Sequence, residues 1–121
     1  MNALLPRKIP KAPKRASRWR SQAHLSFVRK HECCVVGCSV RAEFGWRTEA
    51  AHVRLGSGAG MGQKPDDWRA VSLCSRHHRM QHEMGEESFW KGCDVEALIE
   101  AFIKASPKRG EIEAVMKERE Q

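Results

Sequence analysis

Four of the five cysteines and four of the six histidines of this 121-residue chain fall between Cys33 and His82. Their types and spacing suit metal chemistry. Structural zinc takes four thiolate or imidazole ligands in a tetrahedron, commonly as two short-spaced pairs. One such pair is Cys38 with Cys33 or Cys34, and spacing alone fits either choice. The other is Cys74 with His77, with two residues between them. Gly37 lets the backbone turn sharply beside Cys38. Free cysteines often serve as small buried hydrophobes, but that role does not explain two correctly spaced pairs.

Three further histidines point to a second site. His78 and His82 stand at i and i+4, so a helix puts both on one face, where they can grip one divalent ion. His77 faces elsewhere and stays with the first site. His52 lies between the two halves of the knuckle, after Ala50 and Ala51. A histidine facing a metal across a hairpin is suited to take a proton from water, because imidazole titrates near neutral pH.

These side chains need a scaffold. Thr48–Val53 is short and partly apolar and reads as a strand with His52 at its end. Gly56–Gly62 holds four glycines in seven positions and reads as a loop, closed by Lys64-Pro65-Asp66-Asp67. Arg69–Leu73 alternates polar with apolar residues, a second strand ending in Cys74. Ser75–His82 reads as a helix capped by Ser75, with Glu86–Trp90 extending or following it after Gly85. Upstream, Ser17 is positioned to cap a helix over Arg18–Lys30 with a stripe of Trp19, Ala23 and Phe27. His24 and His31, on that helix or at its end, read as surface residues. Downstream, Asp94 caps an amphipathic helix to Lys104, with Val95, Leu98, Ile99, Phe102 and Ile103 on one face. Pro107 and Gly110 read as breakers before a charged helix over 111–120. Cys93 fits no ligand pair and reads as a buried packing residue.

The net charge of +7 is concentrated at one end. Residues 1–30 carry nine Lys/Arg and no acid, whereas the rest carry 13 basic and 15 acidic groups. Pro6, Pro10 and Pro13 make residues 1–16 an extended or disordered arm. Arg7, Lys8, Lys11, Lys14, Arg15, Arg18 and Arg20 form a segment suited to a polyanion, most commonly nucleic acid. No apolar run reaches the roughly 18–20 residues of a membrane span. Met1–Leu5 is too short for a signal peptide, so a cytoplasmic location is the default expectation. In a reducing compartment such cysteines point to metal rather than disulfides.

Strand, hairpin, strand and helix, framed by two zinc-type pairs with one histidine on the first strand and two on the helix, resemble the HNH (ββα-metal) nucleases. The phrases Glu49-Ala-Ala-His52-Val-Arg54, Gly60-Met-Gly-Gln-Lys64-Pro-Asp-Asp67-Trp and Leu73-Cys-Ser-Arg-His-His-Arg-Met-Gln-His82 look like the phage recombination-enhancement nucleases of the Ref type and their phage and prophage relatives. The likeness covers roughly residues 17–92. It implies an α+β fold: a small zinc-stabilised ββα-metal core over 17–106, with flanking helices, a basic arm over 1–16 and a charged tail over 107–121. It also implies His52 as general base and His78 and His82 as ligands of a catalytic Mg²⁺ or Mn²⁺, beside a structural Zn²⁺. The chain departs from the pattern at two places. Ala51 stands where many relatives carry an Asp or His ligand. Trp68-Arg69-Ala70 lacks the hairpin Asn that orients the base, and Asp67 is the best substitute, or else a turn residue.

The resulting expectation is a metal-dependent DNA endonuclease, with a RecA-type recombinase filament as a candidate partner. The alternative is a non-catalytic zinc-stabilised DNA-binding module. A third reading is a regulatory protein that binds a partner through the Asp94–Lys104 helix.

Overall fold

The structure is a computed structural model describing residues 18–38, 48–59 and 63–120. Expectations for residues 1–17, including the Ser17 cap and most of the basic arm, lie outside this range. Among the described residues the fold is α+β, with one two-stranded sheet and five α-helices.

Strands β1 (Thr48–His52) and β2 (Ala70–Cys74) pair antiparallel, from Thr48 opposite Cys74 to His52 opposite Ala70. A backbone bond from Val53 N to Arg69 O (2.8 Å) continues the ladder by one step. Both strands fall within a residue of the pattern read from sequence. Helix α1 (Gln22–Arg29) leads into this hairpin. Thr48 Oγ1 donates to the carbonyls at the exit of α1, Arg29 O at 2.8 Å and His31 O at 2.7 Å. Ser72 Oγ donates to Glu32 O (2.6 Å), so the chain entering the cysteine knuckle is tied to the same sheet face.

Helix α2 (Ser75–Met84) follows β2 without a loop. Cys74, not Ser75, is its N-cap, and no side chain caps it. Gly85 ends it at φ 84°, a left-handed conformation that side chains resist. A short helix α3 (Glu86–Phe89) precedes α4 (Val95–Ala105). Asp94 caps α4 by accepting from Ala97 N (3.1 Å). Its Val95, Ile99 and Ile103 are buried at i, i+4 and i+8, as the apolar stripe requires. They join Trp19, Trp68, Val71, Leu73 and Trp90 in the core.

Several local expectations are corrected by long-range contacts. Helix α1 starts at Gln22, not near Arg18. The carboxylates of Asp66 and Asp67 accept from Trp19 N (2.7 Å) and Ser21 N (2.8 Å), holding this stretch out of the helix. Ser21 then caps α1 through His24 N (3.1 Å). His24 is fully buried rather than a surface residue. Its ring stands edge-on to Trp19, and its Nδ1 lies 2.7 Å from Ser106 Oγ. Burial lowers the His24 pKa below the usual histidine value, against the opposing pull of Asp67. Cys93 is exposed, because the turn after α3 carries it outward.

Pro107 does separate two helices, but Gly110 lies within the second, α5 (Arg109–Arg119). This helix is packed against the rest of the chain: Ile112 is fully buried in the core. Trp19 Nε1 donates to Glu111 Oε1 (3.0 Å), and Arg119 donates to Asp66 Oδ2 (2.9 Å) with its guanidinium 5.0 Å from the Trp68 ring centre. Among the described residues no helix is long and apolar enough to cross a membrane.

Candidate functional site

The cysteine knuckle forms because the chain after α1 reverses over Val35–Gly37. Cys38 N donates to Val35 O (3.0 Å), and Gly37 takes φ 83°. That turn swings Cys38 back toward Cys33. Cys74 arrives from the end of β2, and His77 from the first turn of α2. The ligand atoms of Cys33, Cys38, Cys74 and His77 all lie within 4.8 Å of one another, close enough to hold a metal ion. His77 Nδ1 stands 3.2 Å from Cys74 Sγ and 3.5 Å from Cys33 Sγ. A zinc tetrahedron with Zn–S of about 2.3 Å and Zn–N of about 2.0 Å has S–N edges of about 3.5 Å, so spacing and donor chemistry both fit.

The geometry chooses between the two adjacent cysteines. Cys33 belongs to the group and Cys34 does not. The backbone N–H of Cys34 donates to Ser72 O (2.9 Å), and its side chain packs against the core. Burial pushes the Cys34 thiol up to about 12, so it stays protonated at neutral pH. Burial also raises the Cys33 thiol in the metal-free chain. A bound cation reverses that preference, since coordination deprotonates a thiol. Burial, aided by the charge of Arg76, lowers the His77 pKa and favours the neutral imidazole that a metal needs.

The other expected site residues make two separate contacts, His52 at the far end of the hairpin and His78 beside Glu49 nearer the zinc-type group. His52 is half-buried at the end of β1, and its Nε2 lies 2.8 Å from Asp67 Oδ1. Asp67 is buried in the 3-10 turn (Asp67–Arg69) before β2. Besides His52 it engages Ser21 N and Arg20 Nη1, the latter at 3.2 Å. A carboxylate can only accept, so His52 donates from Nε2, which in the neutral ring leaves the lone pair on Nδ1. Asp67 therefore orients His52.

His78 and His82 share one face of α2, their ring centres 5.0 Å apart. His78 Nδ1 lies 2.5 Å from Glu49 Oε2 on β1, a partner the motif reading did not single out. Strand alternation could have pointed to it, since Glu49 lies two residues before Ala51 on the same sheet face. Among the described residues, His78, His82 and Glu49 do not form a second group of three ligand atoms within 4.8 Å.

Two residues of the basic segment are described, and both make ion pairs. Arg18 lies 3.7 Å from Asp66, while Arg20 meets Asp67 and donates to Lys64 O (3.1 Å) and Pro65 O. Burial pushes the Asp66 carboxyl up, but the bonds from Arg119 and Trp19 N, with the charges of Arg119 and Arg18, outweigh it and hold it below the usual carboxylate range. Arg7, Lys8, Lys11, Lys14 and Arg15 lie outside the described residues.

Residues 5–106 match the family described as Protein of unknown function (DUF968), and the chain belongs to that family. No curated protein and no solved structure matches it.

Proposed function

We propose that this DUF968 member is a metal-dependent DNA endonuclease of the HNH (ββα-metal) type, with a structural zinc at Cys33, Cys38, Cys74 and His77. The observation that carries the reading is the Asp67–His52 contact. A buried carboxylate, fixed by a backbone amide and an arginine, aims a histidine from the last position of β1. In a packed core such a pair would have no reason to face outward, whereas His52 keeps partial access to solvent. The order β1, β2, α2 and the shared face of His78 and His82 support the same reading.

The zinc centre would tie the segment after α1, the end of β2 and the start of α2 together, and so fix the frame that carries His52, His78 and His82. His52 Nδ1 accepts a proton from the water that attacks phosphorus, and the bond from phosphorus to the leaving sugar oxygen breaks. Asp67 keeps the imidazole in the right tautomer and stabilises the imidazolium that forms. A divalent cation held by His78 and His82 would neutralise charge on the scissile phosphate and the leaving oxygen. The basic N-terminal arm would hold the DNA backbone.

A plasmid-nicking assay tests the proposal. Zinc-loaded protein should nick DNA in Mg²⁺ or Mn²⁺, supplied alone or on a RecA-type filament, and His52→Ala should abolish most of that activity. Wild type that shifts DNA in a gel but cuts no form of it in either metal would establish the non-catalytic binding module instead.

A further inference from the structure

We propose that Glu49 is the positioning residue for His78, making good the ligand position lost at Ala51. This rests on the reading of His78 and His82 as holders of a divalent cation. The geometry has three parts. First, Ala51 is fully buried and carries no donor, so β1 offers nothing to a cation at that position. Second, Glu49 lies on the same face of β1, one side-chain step back along the strand. Third, its Oε2 sits 2.5 Å from His78 Nδ1 across the gap between β1 and α2, although 29 positions separate the two residues.

A carboxylate on Nδ1 has a definite consequence for imidazole. Nδ1 must carry the proton, so the lone pair is confined to Nε2. The ring is also held against rotation. A carboxylate that accepts from the remote nitrogen of a metal-binding histidine commonly contributes about 10–100-fold in metal affinity. His82 is exposed, and no hydrogen bond holds its ring among the described residues. Glu49 therefore organises the pair from one side, through His78. The simpler alternative is a surface ion pair, since the Glu49 side chain is about half exposed at 49%. Such pairs contribute little to stability. The two roles predict different metal binding.

The test is Mn²⁺ binding to the zinc-loaded protein, followed by electron paramagnetic resonance of free Mn²⁺, with DNA nicking measured alongside. Glu49→Ala should weaken Mn²⁺ binding roughly 10–100-fold, and nicking should recover at saturating Mn²⁺. Glu49→Gln keeps an acceptor for Nδ1–H and should bind Mn²⁺ nearer to wild type than Glu49→Ala does. Glu49→Ala with unchanged Mn²⁺ binding, in a protein where His78→Ala abolishes it, overturns the positioning role alone. Glu49→Gln as weak as Glu49→Ala makes Glu49 a direct ligand and also overturns it. If His78→Ala and His82→Ala leave Mn²⁺ binding untouched, the cation reading falls and the Glu49 role falls with it.

Discussion

Asp67 Oδ1 lies 2.8 Å from His52 Nε2, and the same carboxylate receives Ser21 N at 2.8 Å through Oδ2. One buried side chain thus sets both the start of α1 and the orientation of the histidine at the end of β1. The N-terminal segment and the proposed catalytic base share a single anchor. Arg20, on Asp67 Oδ1 at 3.2 Å, balances the charge of that anchor.

The first prediction separates the base from its support. His52→Ala should lower the nicking rate by roughly 10²–10⁴-fold with fold and DNA binding intact. Asp67→Asn should also slow nicking, because an amide NH₂ facing His52 favours the wrong tautomer. Unlike His52→Ala, it should cost stability as well, since it disturbs the bonds from Ser21 N and Arg20. Nicking rates and melting temperatures of both variants check this. Equal stability of the two variants would show that Asp67 does not anchor α1.

The zinc centre gives the second prediction, which concerns two neighbouring cysteines. Cys33→Ser and Cys74→Ser should each lose tightly bound zinc and the cooperative melt, because zinc affinity is folding free energy in such sites. Cys34→Ser should keep one equivalent of zinc and lose only packing. Elemental analysis of the purified variants gives the answer. A zinc-free Cys34→Ser beside a zinc-loaded Cys33→Ser would reverse the assignment.

What was legible in the sequence was local. Cys74 and His77 have two residues between them at a strand-to-helix junction, and His78 and His82 are about one helical turn apart, so spacing alone paired them. The β1 boundaries followed from a short, partly apolar run and those of β2 from alternation. The remainder depended on partners far along the chain. Nothing near Trp19 announces that Asp66, 47 positions away, will take its amide and delay α1. Nothing near His24 announces Ser106, 82 positions away, which draws the ring inside. Spacing also left Cys33 and Cys34 equivalent, because the choice turns on which of them the Ser72 carbonyl holds in register with the sheet. Glu49 was missed because a single glutamate on a strand carries no motif.

The third prediction concerns α5. Ile112 is fully buried, and Arg119 joins Asp66 and the Trp68 ring. Removal of residues 107–121 should expose Trp19 and Trp68 and lower stability markedly. Ile112→Ala alone should cost about 2–5 kcal/mol, the range for a large-to-small change in a core. Urea denaturation followed by tryptophan fluorescence measures both. A truncated chain as stable as the full one would show that α5 contributes nothing to the fold.

The fourth prediction is a pH dependence. His24 is buried with its pKa lowered, so the folded chain prefers the neutral ring more than the unfolded chain does. Its contribution is complete above the ordinary histidine pKa of about 6.5 and is lost as pH falls from there through the folded value. The melting temperature should therefore decline as pH falls below about 6.5, and His24→Leu should flatten that decline. Asp66, with its carboxyl held low, adds a second loss further down, below the ordinary carboxylate pKa of about 3.9. An identical slope below about pH 6.5 in His24→Leu would assign the dependence to other groups.

The last prediction divides the basic residues into two kinds. Arg18 and Arg20 face Asp66 and Asp67, so their charges are already matched within the fold. Arg7, Lys8, Lys11, Lys14 and Arg15 precede this region, and residues 1–30 carry no acidic group that could match them locally. Each arm residue that binds a phosphate displaces a counterion, which steepens the fall of affinity with salt by about 0.9 per contact on logarithmic axes. Deletion of residues 1–16 should therefore weaken DNA binding at low salt and flatten the salt dependence by as much as about 4 to 5 on that scale, with little change in melting temperature. Arg20→Ala should do the reverse: it should lower the melting temperature and the nicking rate through Asp67, and leave the salt slope near its wild-type value. Fluorescence anisotropy of labelled duplex across a salt series measures the slopes, and thermal melts measure the stabilities. A deletion that leaves the slope unchanged, paired with an Arg20→Ala that flattens it, would move the DNA-binding surface from the arm to the folded domain.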